Sequence, residues 1–174
     1  MAEQSYPLIT FYKGWETYQQ SLVEVIEQLS SEQLALPMTS DGWTIGMVAQ
    51  HIVANRVWWF QVWMGQGNPD LAPIAHWDPQ DVEGVSPHSA AELVAGLKST
   101  WELVYETLNK WTGADLEYHC LPPSALREDE LAFFAKGFSR QWIIWHTLEH
   151  EIHHGGELSL ALGKLGLEGI YGNA

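Results

Sequence analysis

The sequence contains almost no cysteine and little positive charge. Cys120 is the only cysteine among 174 residues, so no internal disulfide can form, which fits a reducing compartment. Eight Lys and Arg stand against 22 Asp and Glu, for a formal net charge of −14. Proteins that bind nucleic acids or anionic membranes need basic surfaces, so this charge disfavours both kinds of partner.

Long hydrophobic runs and a leader segment are also missing from the sequence. No window approaches the roughly 18 uncharged apolar residues that cross a bilayer, and the first residues lack the basic and apolar regions of a secretory signal. We therefore expect a cytoplasmic protein. The composition, 46% hydrophobic and 17% charged, is that of a globular protein, and the length suits a single domain over residues 1–174.

Helical periodicity is what the sequence does contain. Apolar residues recur at spacings of three and four in four long segments, about Thr10–Leu29, Ile45–Met64, Ser86 or Ser89 to Trp111, and Ser139–Leu162. Thr44 is a candidate N-cap, and Ser89 with Glu92 matches the capping-box pattern. No segment alternates convincingly with period two. The sequence therefore predicts an all-α fold, a four-helix bundle.

Two long connections separate these helices. Residues 65–85 are rich in Pro, Gly and Asp, and connections of that length are often functional or cover a site. A short lead-in helix around Glu128–Ala135 is predicted before the last long helix. Connections this long favour crossovers between parallel neighbours over a simple up-down-up-down order.

Histidines on the last helix give the clearest functional signal. At about 100° per residue, four of them share one arc of about 100° with Glu157, and they are His146, His150, His153 and His154. His150 and His154 are four residues apart and can bind one ion, but a third ligand must come from another element. His51, inside the apolar second helix, is the best candidate. The remaining histidines, His76, His88 and His119, are predicted to be solvated.

A zinc-peptidase motif competes with this interpretation. Residues 150–154 read His-Glu-x-x-His, with Glu151 as the base, and residues 146–150 match the inverted form. However, no sheet is predicted that could hold an extended peptide, and the further metzincin residues are missing. Glu151 also projects about 140° from His146, away from the centre of the histidine arc.

Two segments together resemble the DinB-like superfamily of four-helix metalloproteins. Residues 42–52, GWTIGMVAQHI, resemble the opening of the family's second helix, and residues 148–158, LEHEIHHGGEL, resemble its final-helix signature. The resemblance covers nearly the whole chain. It implies that His51, His150 and His154 bind one divalent metal ion, zinc or nickel, with positions left open for water. It also implies homodimers as one assembly.

One departure from the family pattern follows the last ligand. Where the family usually has Arg-Gly-Gln, this chain has Gly155, Gly156 and Glu157, which removes a positive charge near the site. Two adjacent glycines inside a helix cost about 1 kcal/mol each relative to alanine. We interpret them as the place where another helix approaches closely, a second subunit's helix included.

Three protein ligands and an open position are typical of a catalytic metal. Some relatives in the family are thiol-dependent transferases or isomerases, so we expect an enzyme that activates a low-molecular-weight thiol or water, S-transferase-like or hydrolase-like. Its small-molecule substrate would lie in a Trp-lined pocket. Glu149 and Glu157 are candidates to orient a ligand histidine, while no catalytic residue is identified. The alternatives are a non-catalytic metal-dependent binding or sensing protein and a purely structural metal site.

Overall fold

A computed structural model describes residues 5–38, 42–80, 87–124, 126, 132 and 134–171. Its α-helices are α1 (Lys13–Glu27), α2 (Ser31–Leu34), α3 (Ile45–Val57), α4 (Ala90–Lys110) and α5 (Arg140–Lys164). A π-helix, Trp58–Trp63, extends α3, and 3-10 helices span Leu8–Phe11, Pro69–Trp77 and Gly113–Asp115. Two short strands, β1 (His119–Cys120) and β2 (Phe138–Ser139), pair antiparallel.

The four long helices of the sequence prediction are present, and the all-α fold class is confirmed. The Thr44 hydroxyl accepts a hydrogen bond from the Met47 amide, and Ser89 and Glu92 form the expected capping box. The β1–β2 pair was not expected, because two-residue strands are too short to show alternation. The lead-in helix around residues 128–135 falls mostly outside the described residues, and the crossover order of the bundle stays a prediction.

Helix α3 lies at the centre of the molecule. It packs against α4, α5 and the 3-10 helix Pro69–Trp77, while α1 packs against α4. Every α3 residue except Met47 is buried, since the helix is apolar on nearly all sides. A functional side chain on α3 is therefore held inside the protein. Among the described residues, none of the helices is both long enough and apolar enough to span a membrane.

A buried ion pair joins α3 to α5. The Arg56 guanidinium donates to both carboxylate oxygens of Glu151, from Nε at 2.7 Å and from Nη2 at 2.8 Å. Arg56 also donates to the Gln19 side chain of α1 and to the Leu97 carbonyl of α4. Trp15 of α1 donates to Glu151 from its indole nitrogen at 2.9 Å. All four long helices thus meet at one hydrogen-bonded centre, which fixes the rotation of α5 against α3.

The glycine pair in α5 has an explanation within the chain. The Tyr18 hydroxyl of α1 donates to the Glu151 carbonyl at 2.5 Å, and a Cβ at Gly155 would overlap that hydroxyl. Gly156 is exposed, and a Cβ there would meet nothing within 4 Å. The prediction of a close approach is therefore right for Gly155, but α1 of the same chain makes it. A second subunit is not required.

Candidate metal centre

His51 lies in the buried middle of α3 and is only 4% exposed. Its Nδ1 is 2.8 Å from Oδ2 of Asp78, in the connection between α3 and α4. Its Nε2 is 2.9 Å from Nε2 of His150 on α5. The Trp43 ring meets the imidazole edge-on, with ring centroids 5.2 Å apart. Carboxylate, aromatic ring and neighbouring histidine together hold the orientation of the His51 ring.

His150 and His154 complete the cluster from α5. One turn apart, their ring centroids are 4.4 Å from each other, and the His154 ring is 5.0 Å from that of His51. One ligand nitrogen from each of the three histidines lies within 4.8 Å of the other two. The structure thus brings together the three residues that the sequence predicted as ligands.

Two carboxylates determine which ring nitrogens face the centre of the cluster. Asp78 accepts from Nδ1 of His51, and Oε2 of Glu157 accepts from Nδ1 of His154 at 2.7 Å. With the proton on Nδ1, Nε2 of each ring carries the lone pair that a metal ion needs. His150 has no such support, because its Nδ1 is buried and has no hydrogen-bond partner among the described residues.

Burial favours the neutral forms of His150 and His154. Burial, together with the nearby His51 and His154 rings, lowers the pKa of His150 to about 2. Burial also lowers the pKa of His154, although its hydrogen bond to Glu157 opposes that shift. Neutral imidazole is the form that binds a metal ion, so no proton has to be displaced from these rings near neutral pH.

The cluster fits a first-row divalent metal ion. Imidazole suits zinc and nickel, and three histidines at about 2.0–2.1 Å from zinc form a common ligand set that leaves one position open. His51 Nε2 and His150 Nε2 face each other at 2.9 Å, where two lone pairs would repel unless a proton or a cation lay between them. A cation bound by both nitrogens removes this repulsion. It also fits the tautomer that the carboxylates favour, in which the proton is on Nδ1 and the lone pair is on Nε2.

The model of the DinB superfamily matches residues 15–158 of the chain, a span that includes all three histidines. The chain belongs to the DinB superfamily. One relative, the uncharacterized protein YrdA of Bacillus subtilis strain 168, is 24% identical over 167 residues. That alignment covers 94% of this chain and 87% of YrdA.

A solved structure has the same fold. The crystal structure of a DinB-like protein from Bacillus cereus ATCC 10987 superposes with a TM-score of 0.68 at 21% identity, covering 94% of this chain and 95% of that one. Agreement over nearly the full length of both chains confirms the helical DinB-like fold. It says nothing about a reaction, which has to be argued from the site.

The other α5 histidines of this DinB protein stay outside the cluster. His153 has a side chain that is 63% exposed and lies 3.3 Å from Glu157. His146 is half-buried and stacks on Trp142, with ring centroids 4.6 Å apart. Glu149 lies 3.7 Å from His146, so of the two predicted orienting carboxylates only Glu157 contacts a ligand histidine.

The loop histidines follow the sequence prediction with one exception. His76 and His119 are exposed, as expected. His88 is half-buried and stacks on Trp77, with ring centroids 3.9 Å apart, so its predicted solvation is wrong. Stacking partners that far apart in the sequence cannot be read from a local pattern.

An aromatic row leads away from the cluster between α3 and α5. Phe138 of β2 stacks on Trp142 of α5, which stacks on His146. The Trp59 ring of the π-helix meets Trp142 and His146 edge-on. The indole nitrogens of Trp59 and Trp63 are buried and have no hydrogen-bond partner among the described residues. Buried donors without a partner are costly, so these two indoles are candidates for contacts with a bound ligand.

Glu151 has a structural role in place of the catalytic one that the peptidase alternative requires. It is fully buried, and Arg56 and Trp15 occupy both of its carboxylate oxygens. A carboxylate held by a guanidinium in the core cannot take a proton from water at the histidine cluster. The peptidase alternative therefore loses its base.

Asp78 is the site residue that sequence reasoning missed. The length of the connection over residues 65–85 is typical of loops that are functional or cover a site, but no local spacing links position 78 to His51. The contact depends on how the 3-10 helix Pro69–Trp77 packs against α3, which only the tertiary structure reveals.

Proposed function

We propose that this DinB protein holds one divalent metal ion, zinc or nickel, between His51, His150 and His154, and uses it to activate a low-molecular-weight thiol or water. The convergence of three imidazoles from α3 and α5 carries this proposal. A bound ion of this kind supplies Lewis acidity that lowers the pKa of a thiol or of water to near neutrality. The reaction class is then S-transfer or hydrolysis on a small molecule.

The chain's own residues support this role by orientation and by excluding water. Asp78 and Glu157 hold two of the imidazoles, and burial favours the neutral forms of His150 and His154. The aromatic row beside His146 provides apolar surface, and the Trp59 and Trp63 indoles provide donors for a substrate's acceptor atoms. These features match a small electrophile better than a peptide or a nucleic acid.

The nucleophile has to come from outside the chain. Cys120 is buried, and burial raises the pKa of its thiol, which disfavours the reactive thiolate. An external thiol or water avoids this restriction. A thiol-using protein with a lone cysteine is suited to the reducing cytoplasm, where we place it.

Metal content tests the proposal directly. Untagged wild type, His51→Ala, His154→Ala and a matched His153→Ala control are reconstituted with zinc or nickel and measured by elemental mass spectrometry. We expect about one ion per chain in wild type and His153→Ala, and loss of the ion in the other two variants, since two imidazoles hold an ion weakly. No ion in reconstituted wild type would contradict the proposal.

A thiol assay then separates the enzyme from its alternatives. The zinc-loaded protein is mixed with small thiols and an alkylating electrophile, and the rate of thioether formation is compared with that of metal-free protein. A metal-dependent change in the rate supports thiol activation. If chelation lowers stability but leaves every thiol rate unchanged, the metal is structural. Thiol binding without a change in rate indicates a sensor.

A further inference from the structure

We propose that Asp78 is a positioning residue of this centre, one that sets both the orientation and the protonated nitrogen of His51. The proposal rests on the proposed metal function and adds a residue that contacts neither the ion nor the substrate. Four observations support it. Both oxygens of the Asp78 carboxylate accept hydrogen bonds, and Trp77 beside it packs against α4. The contact between Asp78 and His51 is buried, and Asp78 and Glu157 come from different elements of the fold.

Both carboxylate oxygens of Asp78 have defined partners. Oδ2 accepts from Nδ1 of His51 at 2.8 Å, while Oδ1 accepts from the backbone amide of Gln80 at 2.9 Å. The second bond closes a tight turn across Pro79, and an Asp side chain that accepts from the amide two residues on is a common turn device. The turn therefore aims the carboxylate before any metal binds.

The chain just before Asp78 is docked against α4. A Cβ at Gly96 would lie 2.7 Å from Cζ3 of Trp77, so the indole occupies a notch that only glycine leaves open. Trp77 also stacks on His88. A large ring that packs against α4 and against an imidazole fixes the backbone one residue before the carboxylate, so a docked segment places Asp78 beside His51.

Burial makes the contact between Asp78 and His51 effective. The side chains are 11% and 5% exposed, so water competes little for the Nδ1 proton. A carboxylate on the far nitrogen of a ligand imidazole fixes its tautomer and raises the basicity of the ligating nitrogen. Without it, the His51 ring can rotate or carry its proton on Nε2, and either change removes the lone pair from the centre.

Asp78 and Glu157 each accept a hydrogen bond from Nδ1 of a histidine in the cluster, but they belong to different elements of the fold. Glu157 lies on α5, three residues after His154, and so moves with its ligand. Asp78 lies 27 residues after His51 and reaches it through the connection between α3 and α4. Replacing Asp78 therefore changes the support of His51 while leaving α5 and its two ligands intact.

Zinc affinity, measured by competition with a chromophoric chelator, tests the role of Asp78. The variants are Asp78→Ala, Asp78→Asn and a matched control, Asp70→Ala. Asp70 is an exposed residue of the same connection, and its carboxylate accepts a hydrogen bond from the Asn68 side chain. We expect a loss of about 10–100-fold in Asp78→Ala. Asp78→Asn should retain part of the affinity, because its amide oxygen can still accept the Nδ1 proton, and Asp70→Ala should match wild type.

A spectroscopic readout distinguishes positioning from simple destabilisation. In cobalt-substituted protein, the visible absorption bands report the ligand field, and we expect them to shift in Asp78→Ala but not in Asp70→Ala. Unchanged zinc affinity and cobalt bands, even with a lower melting temperature, would overturn the role of Asp78 while the metal function stands. If Asp78→Ala does not fold, Asp78→Asn decides by the same two measurements. Wild type that binds no ion overturns both proposals, a separate and recognisable result.

Discussion

Single residues on α5 control how closely α1 approaches the helix that carries His150 and His154. We expect Gly155→Ala to destabilise the protein, although alanine is the better helix former by about 1 kcal/mol, because its Cβ would overlap the Tyr18 hydroxyl. Gly156→Ala is the matched control, and we expect it to stabilise by up to about 1 kcal/mol because its surroundings are open. Urea unfolding measures both, and equal stabilisation by the two changes would contradict the role given to Tyr18.

The histidines that cluster in the structure could be predicted from sequence because helix geometry is local. The spacing of His150 and His154 alone places two imidazoles on one face, and His51 stands out as a histidine in an otherwise apolar helix. Asp78 could not be found in this way, since its contact spans a connection without periodicity. The contact between Tyr18 and Gly155 could not be predicted for the same reason. The sequence shows a glycine but not which neighbouring side chain needs the space.

At the scale of elements, the ion pair between α3 and α5 is the contact most sensitive to substitution. Arg56→Ala leaves Glu151 charged and buried with one donor fewer on each oxygen, so we expect a loss of about 3–5 kcal/mol of folding free energy. The double variant Arg56→Met/Glu151→Met removes both charges and fills the space, and we expect it to be far less destabilised. Chemical denaturation with circular dichroism compares the two, and a double variant as unstable as Arg56→Ala would contradict this account.

Long helices were predictable because their period is visible over many residues. The same reasoning missed two changes of geometry, namely the π-helix that follows Val57 and the two-residue strands on either side of the lead-in segment. A π-helix differs from an α-helix by one hydrogen-bond register, which leaves no compositional mark. The second helix therefore ends near Met64, as predicted. However, it is not α-helical throughout, because its last six residues form a π-helix.

At the scale of the whole molecule, an ion bound at the proposed site between α3 and α5 would stabilise the folded state. Binding to the folded chain alone contributes about 4 kcal/mol when free zinc is 1,000 times its dissociation constant. We expect added zinc to raise the melting temperature of wild type and chelation to lower it, with no zinc-dependent shift in His51→Ala. Differential scanning fluorimetry at several zinc concentrations measures this shift, and an equal rise in His51→Ala would place the stabilising ion elsewhere.

The positions of the three histidines along the chain also determine when the site can exist. His51 and His150 are 99 residues apart, and both proposed α5 ligands lie beyond residue 140. While the ribosome is still making the chain, an emerging segment that ends before α5 has His51 and Asp78 but lacks the two α5 histidines. Metal loading at the proposed site would therefore be a late event in biosynthesis.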